Sequence, residues 1–134
     1  MAISAGQTFL YDLKQEPTHL WVITTDPDSD GRVLIVSLTS LRGNKDQTVI
    51  LHGGEHPFLK WATCVYYAQS DLITVERLRE MINCGRAVMH LKFEPRKLSL
   101  ILDGFLASEF TKKRIVEFVR RYKAERAANT GSAS

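Results

Sequence analysis

The feature that most limits the fold of this chain is a change of hydrophobic period partway along it. Up to about residue 74, short β-branched and aromatic segments alternate with turn clusters. Beyond that point, apolar residues recur every three or four positions. Thr8–Leu13 reads as a first strand, ended by Gln15-Glu16-Pro17-Thr18 because proline lacks a donor and restricts its neighbour. His19–Thr25 is a second. Asp26-Pro27-Asp28-Ser29-Asp30-Gly31 is a dense turn, with aspartates to cap backbone N–H groups and a glycine for positive φ. Val33–Leu38 is almost wholly apolar, as in a strand buried on both faces. Thr48–Leu51, Ala62–Ala68, Leu72–Thr74 and Ala87–Leu91 complete the strand candidates. Their spacing suits a small barrel or sandwich.

The helical signals are as local. Thr74 caps a helix carrying Leu78, Met81 and Ile82, and Gly85 suits its left-handed C-terminus. Pro95 fits a first helical turn, followed by Leu98, Ile101, Leu102 and Phe105 on one face. Ile115, Phe118, Val119 and Tyr122 mark the face of a last helix, about Thr111–Arg126. The expectation is one α+β domain over 1–134. It has a small antiparallel barrel over 6–91 with one helix near 75–84, appended helices over 95–127, and a frayed polar tail over 128–134.

Composition narrows the function. With 134 residues, 44% apolar and 25% charged, the chain is neither disordered nor disulfide-dense. Cys64 and Cys84 stand far apart and form no ligand motif, and no long apolar run or leader opens the chain, so a cytoplasmic protein away from membranes is expected. Nucleotide-binding glycine loops and metal-ligand motifs are absent, and neither a cofactor nor a metal is expected. Charge is uneven: residues 1–91 carry 8 basic and 10 acidic side chains, residues 92–134 carry 10 and 5. Lys112, Lys113, Arg114, Arg120, Arg121, Lys123 and Arg126 make the last helix basic; it either tracks a phosphate backbone or is a solvated amphipathic helix.

Several residues carry possible chemistry. His52-Gly53-Gly54-Glu55-His56-Pro57-Phe58 places titratable groups at a flexible bend, as a proton-transfer loop or as a plain surface loop. Thr39-Ser40 offers hydroxyls at a strand end, for phosphate oxygens or for ordinary turn capping. His19 opens a strand, as a catalyst or a partly buried structural histidine, and Trp21 and Trp61 either stack bases or fill the core.

The order of these segments resembles the PemK/MazF-like toxin endoribonucleases of bacterial toxin–antitoxin systems, over about Gly6 to Leu78. Gly6-Gln7-Thr8-Phe9-Leu10-Tyr11-Asp12 is similar to the family's opening strand. His19 to Asp26 is similar to its second strand, and Val33 to Ser40 to the strand that ends in Thr-Ser. Ala68–Leu78 is similar to the stretch ending in Thr-Val and a following Leu. Thr18-His19 stands where the family has a catalytic Arg before Pro, and Ser37 replaces the Pro before Thr-Ser. The resemblance implies an SH3-like barrel, metal-independent cleavage of single-stranded RNA, a homodimer and a cognate antitoxin. For the chemistry that the resemblance implies, the residues expected to serve in this sequence are His19 and His56 as the acid/base pair, Thr39 and Ser40 on phosphate oxygens, and Arg42, Lys60 and Trp21 in substrate binding. The reading of another class is a non-catalytic barrel that binds nucleic acid or a protein. One phosphate requires His19, Thr39, Ser40 and His56 to share a concave surface.

Overall fold

A computed structural model describes residues 2–11, 19–41, 46–52 and 61–132. Among the described residues nine elements follow in order: β1 (Thr8–Tyr11), β2 (His19–Ile23), β3 (Arg32–Ser40), β4 (Ile50–Leu51), β5 (Thr63–Thr74), α1 (Val75–Asn83), β6 (Ala87–His90), α2 (Pro95–Ala107) and α3 (Lys113–Ser132). The strands form one six-stranded sheet in the order β4-β5-β3-β2-β1-β6, with every pairing antiparallel. It curls into a half-barrel.

Local chemistry explains most boundaries. In the β2–β3 turn, Asp28 Oδ1 accepts from the backbone N–H groups of Asp30 at 2.9 Å and Arg32 at 2.8 Å. Gly31 takes φ +73° there, which a side chain would disfavour. Thr74 Oγ1 caps α1 by accepting from Arg77 N. At the other end of α1, Arg86 N donates to Met81 O and Gly85 N to Ile82 O, with Gly85 at φ +81°. That pair of bonds is a Schellman motif. Pro95 opens α2.

Two expectations change. Ala62–Ala68 and Leu72–Thr74 belong to one strand, β5. Its period slips because Val36 pairs with Ser70 while the next residue, Ser37, pairs with Tyr66. The extra β5 residues bulge, and Ser70 Oγ bonds back to Tyr67 O at 2.7 Å. A broken alternation therefore reads as two strands. The last helix also runs past Arg126 to Ser132, where a frayed tail was expected from 128. Ala127 and Ala128 favour this continuation, whereas Asn129-Thr130-Gly131-Ser132 are poor helix formers, which is why the composition reads as a tail.

The two sheet faces bury different things. On one face Leu20, Val22, Leu34, Val36, Leu38, Val65 and Tyr67 pack under α2 and α3 through Ile101, Phe105, Ile115, Phe118 and Val119. On the other, Phe9, Trp21, Ile23, Val33 and Ile35 pack against Leu78 and Met81 of α1. The first contact is very close at Gly104 of α2, where a Cβ would meet Tyr67 Oη at 1.9 Å. The Tyr67 hydroxyl donates to Ile101 O at 2.7 Å, and its phenol is held protonated by burial, reinforced by the charges of Asp46 and Asp103. Asp46, itself buried, accepts from Ser108 Oγ at 2.9 Å and so ties the end of α2 to the segment before β4.

Candidate active site

The α1 face of the sheet is apolar only over part of its length. Side chains alternate along a strand, and residues directly opposite on neighbouring strands share a face. Tyr11 pairs with His19, Thr39 with Cys64, and Cys64 with Ile50. The β2–β3 register is Trp21 with Ser37 and Val22 with Val36; carried to the start of β2, it sets His19 opposite Thr39. Tyr11, His19, Thr39 and Cys64 thus form one row across four strands. The row beside it runs Phe9, Trp21, Ser37, Tyr66. The same face that is apolar under α1 carries imidazole, hydroxyl and phenol groups toward the start of β2 and the end of β3.

His19 is half-buried, and its Nδ1 lies 3.2 Å from Leu38 O. A carbonyl only accepts, so Nδ1 is the protonated nitrogen of this contact and Nε2 is left as the basic one. Thr39 is half-buried beside it. Ser37 is fully buried and donates to Gln69 Oε1 at 2.6 Å, which braces β3 against the β5 bulge below the row. The Cys64 thiol is pushed up by burial and then by the charge of Asp46, so at neutral pH it is a protonated, inert group rather than a nucleophile. Among the described residues no three His, Cys, Asp or Glu side chains group so as to hold a metal ion.

The structure sorts the expected site residues. His19 reaches the end of β3 beside Thr39, through its contact with Leu38 O, and the β2–β3 register extended by two residues sets the two on one face. Ser40 does not join them. It is the last residue of β3 and pairs with Thr63, so its side chain belongs to the opposite face from Thr39. A strand end presents two adjacent hydroxyls to one ligand only if the pleat is lost there, and β3 keeps its ladder through Ser40. Trp21 is also corrected as a substrate-binding residue. It is only 8% exposed and stacks on Phe9, centroids 6.4 Å apart, as part of the core under α1. Trp61, by contrast, is 74% exposed. His56, Arg42 and Lys60 lie outside the described residues.

The reading missed Tyr11 and Tyr66. Both share the histidine face, Tyr11 opposite His19 and Tyr66 opposite Ser37. Counting every second residue from Phe9 finds Tyr11; Tyr66 needs the β5 register, which the bulge hides. The basic helix is also different from a free phosphate track. Arg114 pairs with Asp71 at 2.9 Å, Arg126 with Asp26 at 3.1 Å, and Lys123 with Asp103. These charges clasp α3 to the body, and α3 covers the sheet face opposite His19.

No helix among the described residues is long and apolar enough to cross a membrane. Compared with known proteins, the chain matches no protein-family model and no curated sequence.

Proposed function

We propose that this chain is a metal-independent endoribonuclease that cleaves single-stranded RNA, acting as the toxin of a toxin–antitoxin pair. The observation that carries the reading is His19: its Nδ1 is held by the carbonyl of Leu38, the residue before Thr39 on the neighbouring strand. A tautomer fixed this way leaves Nε2 to take a proton.

The chemistry needs little else from the described residues. His19 Nε2 removes the proton of a ribose 2′-hydroxyl, whose oxygen attacks the adjacent phosphorus. The bond from phosphorus to the 5′-oxygen breaks, leaving a 2′,3′-cyclic phosphate and a 5′-hydroxyl. The Thr39 hydroxyl donates to a non-bridging oxygen as negative charge builds there. A general acid must protonate the departing 5′-oxygen, and we assign this to His56, with Arg42 and Lys60 as sources of positive charge. The PemK/MazF-like resemblance also implies an SH3-like barrel, a homodimer and a cognate antitoxin.

The test is incubation of the purified chain with mixed-sequence RNA in EDTA, with mapping of product ends. Cleavage with cyclic-phosphate ends, lost in His19→Ala, is the expected result. Intact RNA in the presence of correctly folded protein overturns the reading and leaves a binding barrel. Light scattering at about 10–50 μM, where a complex of micromolar Kd is largely formed, tests the dimer; a monomer there argues against it.

A further inference from the structure

Phe9 and Tyr11 stand two apart on β1, on one face of the sheet, and their side chains differ by a single hydroxyl. Phe9 is fully buried and stacks on Trp21. Tyr11 is half-buried, and it packs against the same apolar cluster. Packing therefore accounts for both rings. It does not account for the Tyr11 hydroxyl, which has no hydrogen-bond partner among the described residues. The residue directly opposite is His19. Cross-strand partners on one face hold their Cβ atoms about 5 Å apart. An anchored ring thus sets an unused donor beside the imidazole.

We propose that Tyr11 is a further catalytic residue, whose phenol donates to a non-bridging oxygen of the phosphate under attack. This deepens the endoribonuclease reading and rests on it for the nature of the substrate. His19 on β2 stands between Tyr11 on β1 and, by the extended β2–β3 register, Thr39 on β3. The attacked phosphate has two non-bridging oxygens, and a hydroxyl on each side of the base serves one each. Strand spacing sets the backbones of Tyr11 and Thr39 about 10 Å apart across His19. A phosphate with an O–H···O bond of about 2.7 Å on either side, together with the length of the phenol, spans that distance. No proton leaves Tyr11. The proton of the 2′-hydroxyl goes to His19 Nε2, and the phenol O–H stays intact while its bond strengthens as charge gathers on the phosphate oxygen. Tyr66 is the other phenol on this face, but it pairs with Ser37, in the neighbouring row and two strands from β2. It serves as the control.

Tyr11→Phe keeps the ring and removes only the donor, so its thermal midpoint should match the wild type. In EDTA its kcat on RNA should fall about 10²-fold, the range for one lost oxyanion donor. Its KM should rise by no more than about threefold, and Tyr66→Phe should stay within about threefold in both constants. RNA carrying one sulfur in place of a non-bridging oxygen gives a readout that packing would not move. Sulfur is a weak acceptor, so each of the two phosphorothioate diastereomers should slow the wild type. Tyr11→Phe should lose the slowing by one diastereomer, and Thr39→Val the slowing by the other. If RNA is cleaved but Tyr11→Phe keeps the wild-type kcat, or keeps both sulfur effects, the Tyr11 proposal is wrong and the nuclease reading stands. If the wild type leaves RNA intact, binding of a short 2′-O-methyl RNA decides. Affinity lowered about threefold in Tyr11→Phe but not in Tyr66→Phe ends the nuclease reading and keeps the phenol as a phosphate donor. Equal affinity, or no binding by the wild type, overturns both.

Discussion

The hydroxyl of Tyr67 occupies the space in which a side chain on Gly104 would have to begin, 1.9 Å from an ideal Cβ. Tyr67 Cζ at 2.6 Å and Val49 Cγ2 at 2.8 Å close the same space. The ring cannot simply swing away, because it is fully buried, lies edge-on to Phe105 and donates to Ile101 O. In an exposed helix, Gly→Ala is stabilising by about 1 kcal/mol. Here the opposite sign is expected: Gly104→Ala should destabilise by about 1–3 kcal/mol, the usual range for overpacking. Chemical denaturation checks this. In a double-mutant cycle, Tyr67→Phe should relieve part of the loss, since it removes the nearest clashing atom; strict additivity would show that the clash relaxes elsewhere.

Removing His19 and Thr39 should damage cleavage unequally, and Ser40 hardly at all. His19→Ala is expected to lower kcat by about 10²–10⁴, the range for a lost general base. Thr39→Val keeps the shape and removes the hydroxyl, for a loss of about 10²–10³. Ser40→Ala should stay within about threefold, because its side chain belongs to the other face and contributes at most one weak ligand bond. Single-turnover assays in EDTA measure all three. Equal losses at Thr39 and Ser40 would mean that the end of β3 unpleats when RNA binds.

The basic helix should matter little to catalysis. Arg120→Ala with Arg121→Ala is expected to leave KM within about twofold, since α3 packs on the sheet face away from His19. A KM that rises strongly and loses its salt dependence would instead put RNA along α3, because each lost phosphate contact lowers the salt slope by about one.

Acid should loosen the attachment of α3 to β5. Burial raises the pKa of Asp71, but the hydrogen bond from Arg114, the Leu72 N–H and the charges of Arg114 and Lys112 outweigh it, and the carboxyl lies below its ordinary value of 3.8. A depressed folded pKa stabilises above the unfolded value and loses that contribution as pH falls through the folded one. No change from this group is expected above about pH 5. Below it the thermal midpoint should fall, and less so in Asp71→Asn. Both partners are more than half exposed, so Asp71→Asn should cost under about 1 kcal/mol at pH 7. Asp28 follows the same sign. Burial raises it, while the backbone N–H groups of Arg32 and Asp30 and the Arg32 charge lower it further than burial lifts it.

Those expectations separate two kinds of information. Features set by neighbours in the chain were legible in the sequence by itself. The Asp28 turn, the Thr74 cap, the Schellman close at Gly85 and the Pro95 start each depend on hydrogen bonds or φ values within a few residues. So were the neighbours of His19, because an antiparallel pair joined by a short turn brings the start of one strand to the end of the next.

Tertiary structure decided which face each of these residues serves. Ser40 parts from Thr39 because the β3 ladder continues through it. Trp21 enters the core and Trp61 stays out because Phe9 and α1 cover one and not the other. Tyr66 joins the histidine face through a register that the β5 bulge shifts. Three charges of α3 are taken up by Asp71, Asp103 and Asp26, residues distant in the chain. For the strand residues among them the physical reason is the same. Strand side chains alternate with a period of two, so one bulge or one residue of register reverses the face, and pairing partners many residues away settle it.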